Sequence, residues 1–174
     1  MTTKLTLCTA VAMLALSGAA GRAQAEGSPD LDRGMAPIQG PWQVTITPVD
    51  CDTGEAYSDF AFQSYLTFGA GGALAETTAS LSFQPNQRSP GHGYWRYTGS
   101  QTYRAYFQAF VRFDSVDPQP PARPYLKGVQ SVDQSIEMTD RNHWTSDVLV
   151  GFRDVSGTMV PPSGCAKAAA ERMR

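Results

Sequence analysis

Residues 102–113 read TYRAYFQAFVRF, and their alternation is the strongest strand signal in the chain. Tyr103, Ala105, Phe107, Ala109, Val111 and Phe113 fall on one side of an extended chain, with Arg104, Gln108 and Arg112 on the other, because successive strand side chains point to opposite faces. Tyr106 and Phe110 join the second side, so that face is partly covered as well. The same period of two recurs on either flank. Towards the N-terminus, Trp95 and Tyr97 share a face in a strand over residues 94–98. A third strand occupies 73–81, and Phe60, Phe62, Ser64, Leu66 and Phe68 alternate in a second. Trp42, Val44 and Ile46 alternate with Gln43, Thr45 and Thr47 in a first. Towards the C-terminus, residues 125–138, 144–153 and 158–160 complete the set.

The punctuation between these runs is turn chemistry. Residues 69–72 (GAGG) supply the positive-φ positions of a hairpin, while 85–93 (PNQRSPGHG) and 117–124 (DPQPPARP) read as irregular loops. Only residues 165–174 (CAKAAAERMR) have helix composition, which predicts a short C-terminal helix. About eight strands joined by turns, with no helices between them, predict an all-β fold. An antiparallel up-and-down barrel removes both sheet edges and leaves an interior that is filled or holds one small ligand.

Residues 1–25 read as an export signal. Lys4 gives the positive start, residues 5–16 an apolar run too short to span a bilayer, and Ala23-Gln24-Ala25 a small-residue cleavage site. Cleavage after Ala25 leaves a flexible lead-in over 26–39 and a barrel domain over 40–174, secreted or periplasmic and without membrane insertion. The remaining chain carries 12 basic against 16 acidic residues. Its arginines are spread singly, among them Arg88, and read as solvated strand faces. That excludes the clustered basic face a nucleic-acid partner needs. Cys51 and Cys165 survive cleavage, and two lone thiols in an oxidising compartment predict a disulfide.

Gly40-Pro41-Trp42, near the start of the exported chain, resembles the G-x-W that opens the first strand of lipocalins and related calycin barrels. With residues 40–54 (GPWQVTITPVDCDTG), LTFGAGGALAET, RSPGHGYW and a late GC, the chain is similar to exported bacterial lipocalin-like proteins without an assigned reaction. The resemblance covers residues 40–174 and implies a barrel with a central ligand space; the T-D-Y motif of true lipocalins is absent.

In such a barrel Trp42, Phe62, Leu66, Trp95, Tyr97, Tyr103 and Phe107 point inward. They either pack the interior solid or line a pocket for a small hydrophobic or aromatic molecule, with the Tyr97 and Tyr103 hydroxyls orienting it. Catalytic candidates are few. His92 lies in a loop at a strand mouth, where a general acid or base could reach a ligand. Glu76 shares its strand parity with Leu74 and so faces inward, where it could move a proton; pairing with an arginine is its structural alternative. Two histidines at unrelated spacing make no zinc site, Asp50 and Asp52 lack the remaining ligands of a calcium loop, and no cofactor motif occurs. Ser89 has no G-x-S-x-G context. The expected function is a small-molecule-binding barrel; the alternatives are a barrel enzyme of isomerase or cyclase type, and a structural or partner-binding barrel.

Overall fold

A computed structural model describes residues 37–112 and 127–174. The expected export signal, residues 26–36 of the lead-in and the 117–124 loop lie outside the described residues. Among the described residues eight strands run β1 (Gly40–Val49), β2 (Phe62–Phe68), β3 (Ala73–Thr78), β4 (Gly91–Gly99), β5 (Thr102–Val111), β6 (Gly128–Met138), β7 (His143–Asp154) and β8 (Met159–Arg172). Each pairs antiparallel with its neighbours, and β8 pairs back onto β1, so the sheet is a closed barrel in simple chain order. Closure satisfies the backbone groups that an open sheet would leave bare at its edges.

The expected C-terminal helix is absent. Residues 165–172 are strand, paired on one side with β1 from Val49↔Cys165 to Trp42↔Arg172 and on the other with β7 from Leu149↔Cys165 to His143↔Glu171. Alanine is the best helix former, yet propensity is a weak prior against two complete ladders. Ala166, Ala168 and Ala170 are buried while Lys167, Ala169 and Glu171 face out. Their small side chains suit the inner wall: Ala170 stands in register between Val44 and Trp144.

The fourth strand also starts earlier than expected. Residues 91–93 (GHG) belong to β4, where Gly93 pairs with Phe107. A Cβ on Gly93 would come within 1.9 Å of the Tyr106 carbonyl oxygen, so glycine at this position is a packing requirement of the sheet, not a loop signal. The GAGG turn holds Gly71 and Gly72 at φ 73° and 89°, as its hairpin role requires.

One end of the barrel is packed solid. Trp42, Phe68, Trp95, Tyr103 and Trp144 form a contiguous aromatic cluster with ring centroids 5.8–6.2 Å apart in tilted or edge-to-face arrangements. Ile38, in the chain that precedes β1, is fully buried, and its carbonyl accepts a hydrogen bond from Trp42 Nε1 at 2.7 Å. The Arg172 guanidinium stacks on Trp42 at 4.2 Å and donates to the carbonyls of Pro37, Gln39 and Arg141. Residues 37–39 are thus fastened at this end by the last residue of β8.

Cys51 and Cys165 form a disulfide with Cα atoms 5.2 Å apart. It ties the turn after β1 to β8 beside the seam where the barrel closes.

Candidate functional site

The opposite half of the barrel is not filled. A cavity of about 220 Å³ opens at the end where β3 leads into the segment 79–90. Its walls are apolar: Ile46 from β1, Phe62 from β2, Phe107 from β5, Val132 from β6, and Val148, Val150 and Phe152 from β7. Ala166 and Gly164 of β8 complete them, and their small size keeps this side of the wall thin. Cys165 also lines the space, so the disulfide stands at its rim.

Polar groups converge on this apolar space. Glu76, on β3, is buried facing inward and lies 2.9 Å from Arg88 Nη2. The contact of its Oε2 with the guanidinium is an ion pair and not an aligned hydrogen bond, while its Oε1 accepts from the Ser64 hydroxyl at 3.1 Å. The Arg88 side chain is 5% exposed, contrary to the solvated strand face expected of it. It reaches the interior because the segment before β4 is laced to β5: Ser89 N donates to Phe110 O, Phe110 N donates to Ser89 Oγ, and Arg112 N donates to Gln87 O. From there Arg88 Nε donates to Gln130 Oε1 at 2.5 Å, Nη1 donates to Ser89 O, and its guanidinium lies over the Phe83 ring at 5.7 Å. A buried carboxylate and a buried guanidinium are each tolerable only because they meet.

Gln134 closes the floor. It is fully buried on β6 between Val132 and Ile136, with Ala105 and Val148 at the paired positions. No side chain among these four carries a polar atom, and among the described residues both Oε1 and Nε2 of Gln134 lack a hydrogen-bond partner. Unpaired buried amide groups cost about 1–3 kcal/mol each, so a glutamine here is expensive for stability alone. Further towards the packed end, Ser146 Oγ and Trp144 Nε1 are also buried without partners.

The residues singled out from the sequence divide between the two halves. Phe62 and Phe107 line the cavity. Trp42, Leu66, Trp95 and Tyr103 are buried in the packed half, and Tyr97 is 45% exposed at its edge with its ring against Tyr103. Glu76 faces the cavity, whereas His92 is exposed on the outer face of β4. Ser89 Oγ is engaged with Pro90 O and Phe110 N. Asp50 organises its own turn by accepting from the Asp52 and Thr53 amides and the Thr53 hydroxyl. Arg88, Gln130 and Gln134 were not singled out, although Gln130 and Gln134 share strand parity with Val132 and Ile136, a readable signal.

Among the described residues no cluster of His, Cys, Asp or Glu could hold a metal ion. Nor is any helix among them long and apolar enough to cross a membrane. Neither a protein-family model nor a curated protein matches the chain.

Proposed function

We propose that the protein is an exported binding barrel that takes one small, largely apolar molecule into the open half of its interior. The observation that carries this reading is the asymmetry of the core: one end is sealed by aromatic packing, Ile38 and Arg172, while the other keeps an apolar cavity of about 220 Å³ with polar groups at its floor and side. Ligand sites commonly combine apolar walls with a few placed polar groups. A 150 Å³ cavity is enough for benzene, so this one suits an occupant of about nine or ten non-hydrogen atoms. Phe62, Phe107 and Phe152 are aromatic contacts in this reading. The disulfide accords with an oxidising compartment, where a leader over residues 1–25 is removed after Ala25 and one barrel domain follows from residue 40.

A second reading, a barrel enzyme, draws on Glu76, a carboxylate in the cavity wall. Its engagement by Arg88 and Ser64 favours a structural and recognition role over proton transfer.

Native mass spectrometry of protein recovered from its own source tests the binding reading by looking for a retained small molecule. Titration with indane or indole then measures uptake, and Ala166→Phe, which fills the cavity from β8, abolishes it. A polypeptide that arrives empty and takes up neither compound overturns the proposal.

A further inference from the structure

Resting on the binding reading above, we infer that the occupant carries a cis-amide edge, an N–H beside a C=O as in a lactam or imide, which docks on the Gln134 amide. Gln134 offers one acceptor and two donors in a single plane. It is fully buried at the cavity floor, and Val132, Ile136, Ala105 and Val148 around it provide no side-chain polar atom. Among the described residues both its oxygen and its nitrogen are without partners. A group satisfied by one hydrogen bond, such as a ketone, ether or alcohol, leaves half of that amide unpaired, whereas a cis-amide edge meets both halves with two parallel bonds. Exchanging the oxygen and nitrogen of Gln134 by rotation leaves this argument unchanged, because a cis-amide edge is complementary to either orientation.

The charges of the same cavity set the occupant's net charge. Glu76 and Arg88 neutralise one another in the wall. An anionic occupant faces the Glu76 carboxylate, a cationic one faces the Arg88 guanidinium, and neither finds an unpaired counter-charge among the cavity-lining residues. The recognised class is therefore a neutral cis-amide on a small apolar body, not a fatty acid or an amine.

Four bicyclic probes of nearly equal size test this: isoindolinone, with both donor and acceptor; 1-indanone, with the acceptor alone; N-methylisoindolinone, with the donor blocked; and indane, with neither. Affinities are measured by calorimetry on the disulfide-bonded protein. Isoindolinone binds about 10- to 100-fold more tightly than 1-indanone, since a site with buried hydrogen-bonding groups discriminates against an occupant that leaves one unpaired. In Gln134→Leu and Gln134→Met that preference disappears while indane binding persists. Equal affinity for all four probes overturns the amide inference and leaves the binding reading standing. A lactam preference that survives in both variants overturns the role of Gln134. Uptake of none of the four overturns both readings.

Discussion

Glu76 and Arg88 meet at 2.9 Å inside the barrel, from β3 and from the segment that precedes β4, with side chains 2% and 5% exposed. Removing one partner leaves the other charge buried and uncompensated, so Arg88→Met lowers unfolding free energy by about 3–5 kcal/mol. The double variant Glu76→Leu with Arg88→Met recovers most of that loss, because an apolar pair of similar volume is tolerated where a lone charge is not. Urea unfolding of the four proteins measures the cycle. Equal loss in the single and double variants would show that packing of Arg88, and not its charge, holds the segment in place.

The disulfide closes a loop between positions 114 residues apart. In the chain-entropy model that contributes about 5 kcal/mol, so Cys51→Ser with Cys165→Ser lowers the urea midpoint by the corresponding amount. The effect acts on the unfolded chain. A reduced protein with an unchanged midpoint overturns it.

Acid destabilises the turns. Asp50 is held below its ordinary carboxylate value first by the Thr53 amide, Asp140 by the Asn142 amide and then His143, and Asp154 by the Ser156 hydroxyl and then the Thr158 amide. A carboxyl whose pKa is lowered on folding contributes stability that is complete above its unfolded value and is lost as pH falls through its folded value. Unfolding midpoints therefore hold from neutrality to about pH 5 and decline below the ordinary value of 3.8. Asp154→Asn makes that decline shallower; an unchanged slope contradicts the assignment for Asp154.

Arg172 joins a ring stack to three backbone carbonyls. Arg172→Lys keeps the charge but loses the planar fork, so it is destabilising by about 1–2 kcal/mol and exposes residues 37–39 to faster amide hydrogen exchange. Exchange in β6 stays slow. Uniform acceleration throughout the barrel would instead mean that the seal governs global stability.

His92 lies outside the barrel wall. His92→Ala leaves uptake of indane and isoindolinone unchanged, as titration of both compounds checks. A loss of uptake would place part of the recognition on the outer face of β4.

Much of this architecture is legible as period two. Strands with one apolar face announce themselves, as 102–111 do, and Glu76 reveals its inward direction by sharing parity with Leu74. Two kinds of feature stay hidden. In β8 the inner face consists of alanines, which carry no strand preference and acquire their conformation from the ladders on both sides. Arg88 is hidden for the opposite reason: its chemistry is plain, but its burial depends on bonds between 87–89 and 110–112 that no local pattern encodes. Gln130 and Gln134 lie between, since their positions on an apolar face can be read from parity, whereas the missing partners around Gln134 emerge only from the packing.

The seam between β1 and β8 bears on how the chain is made. Of the eight strands, the first to leave the ribosome finds its second neighbour only when the last has followed. Until then the sheet is a ribbon with two raw margins, each a row of backbone donors and acceptors without a partner strand. Joining the first strand to the last is thus also the step that ends the chain's exposure to edge-to-edge pairing with other copies.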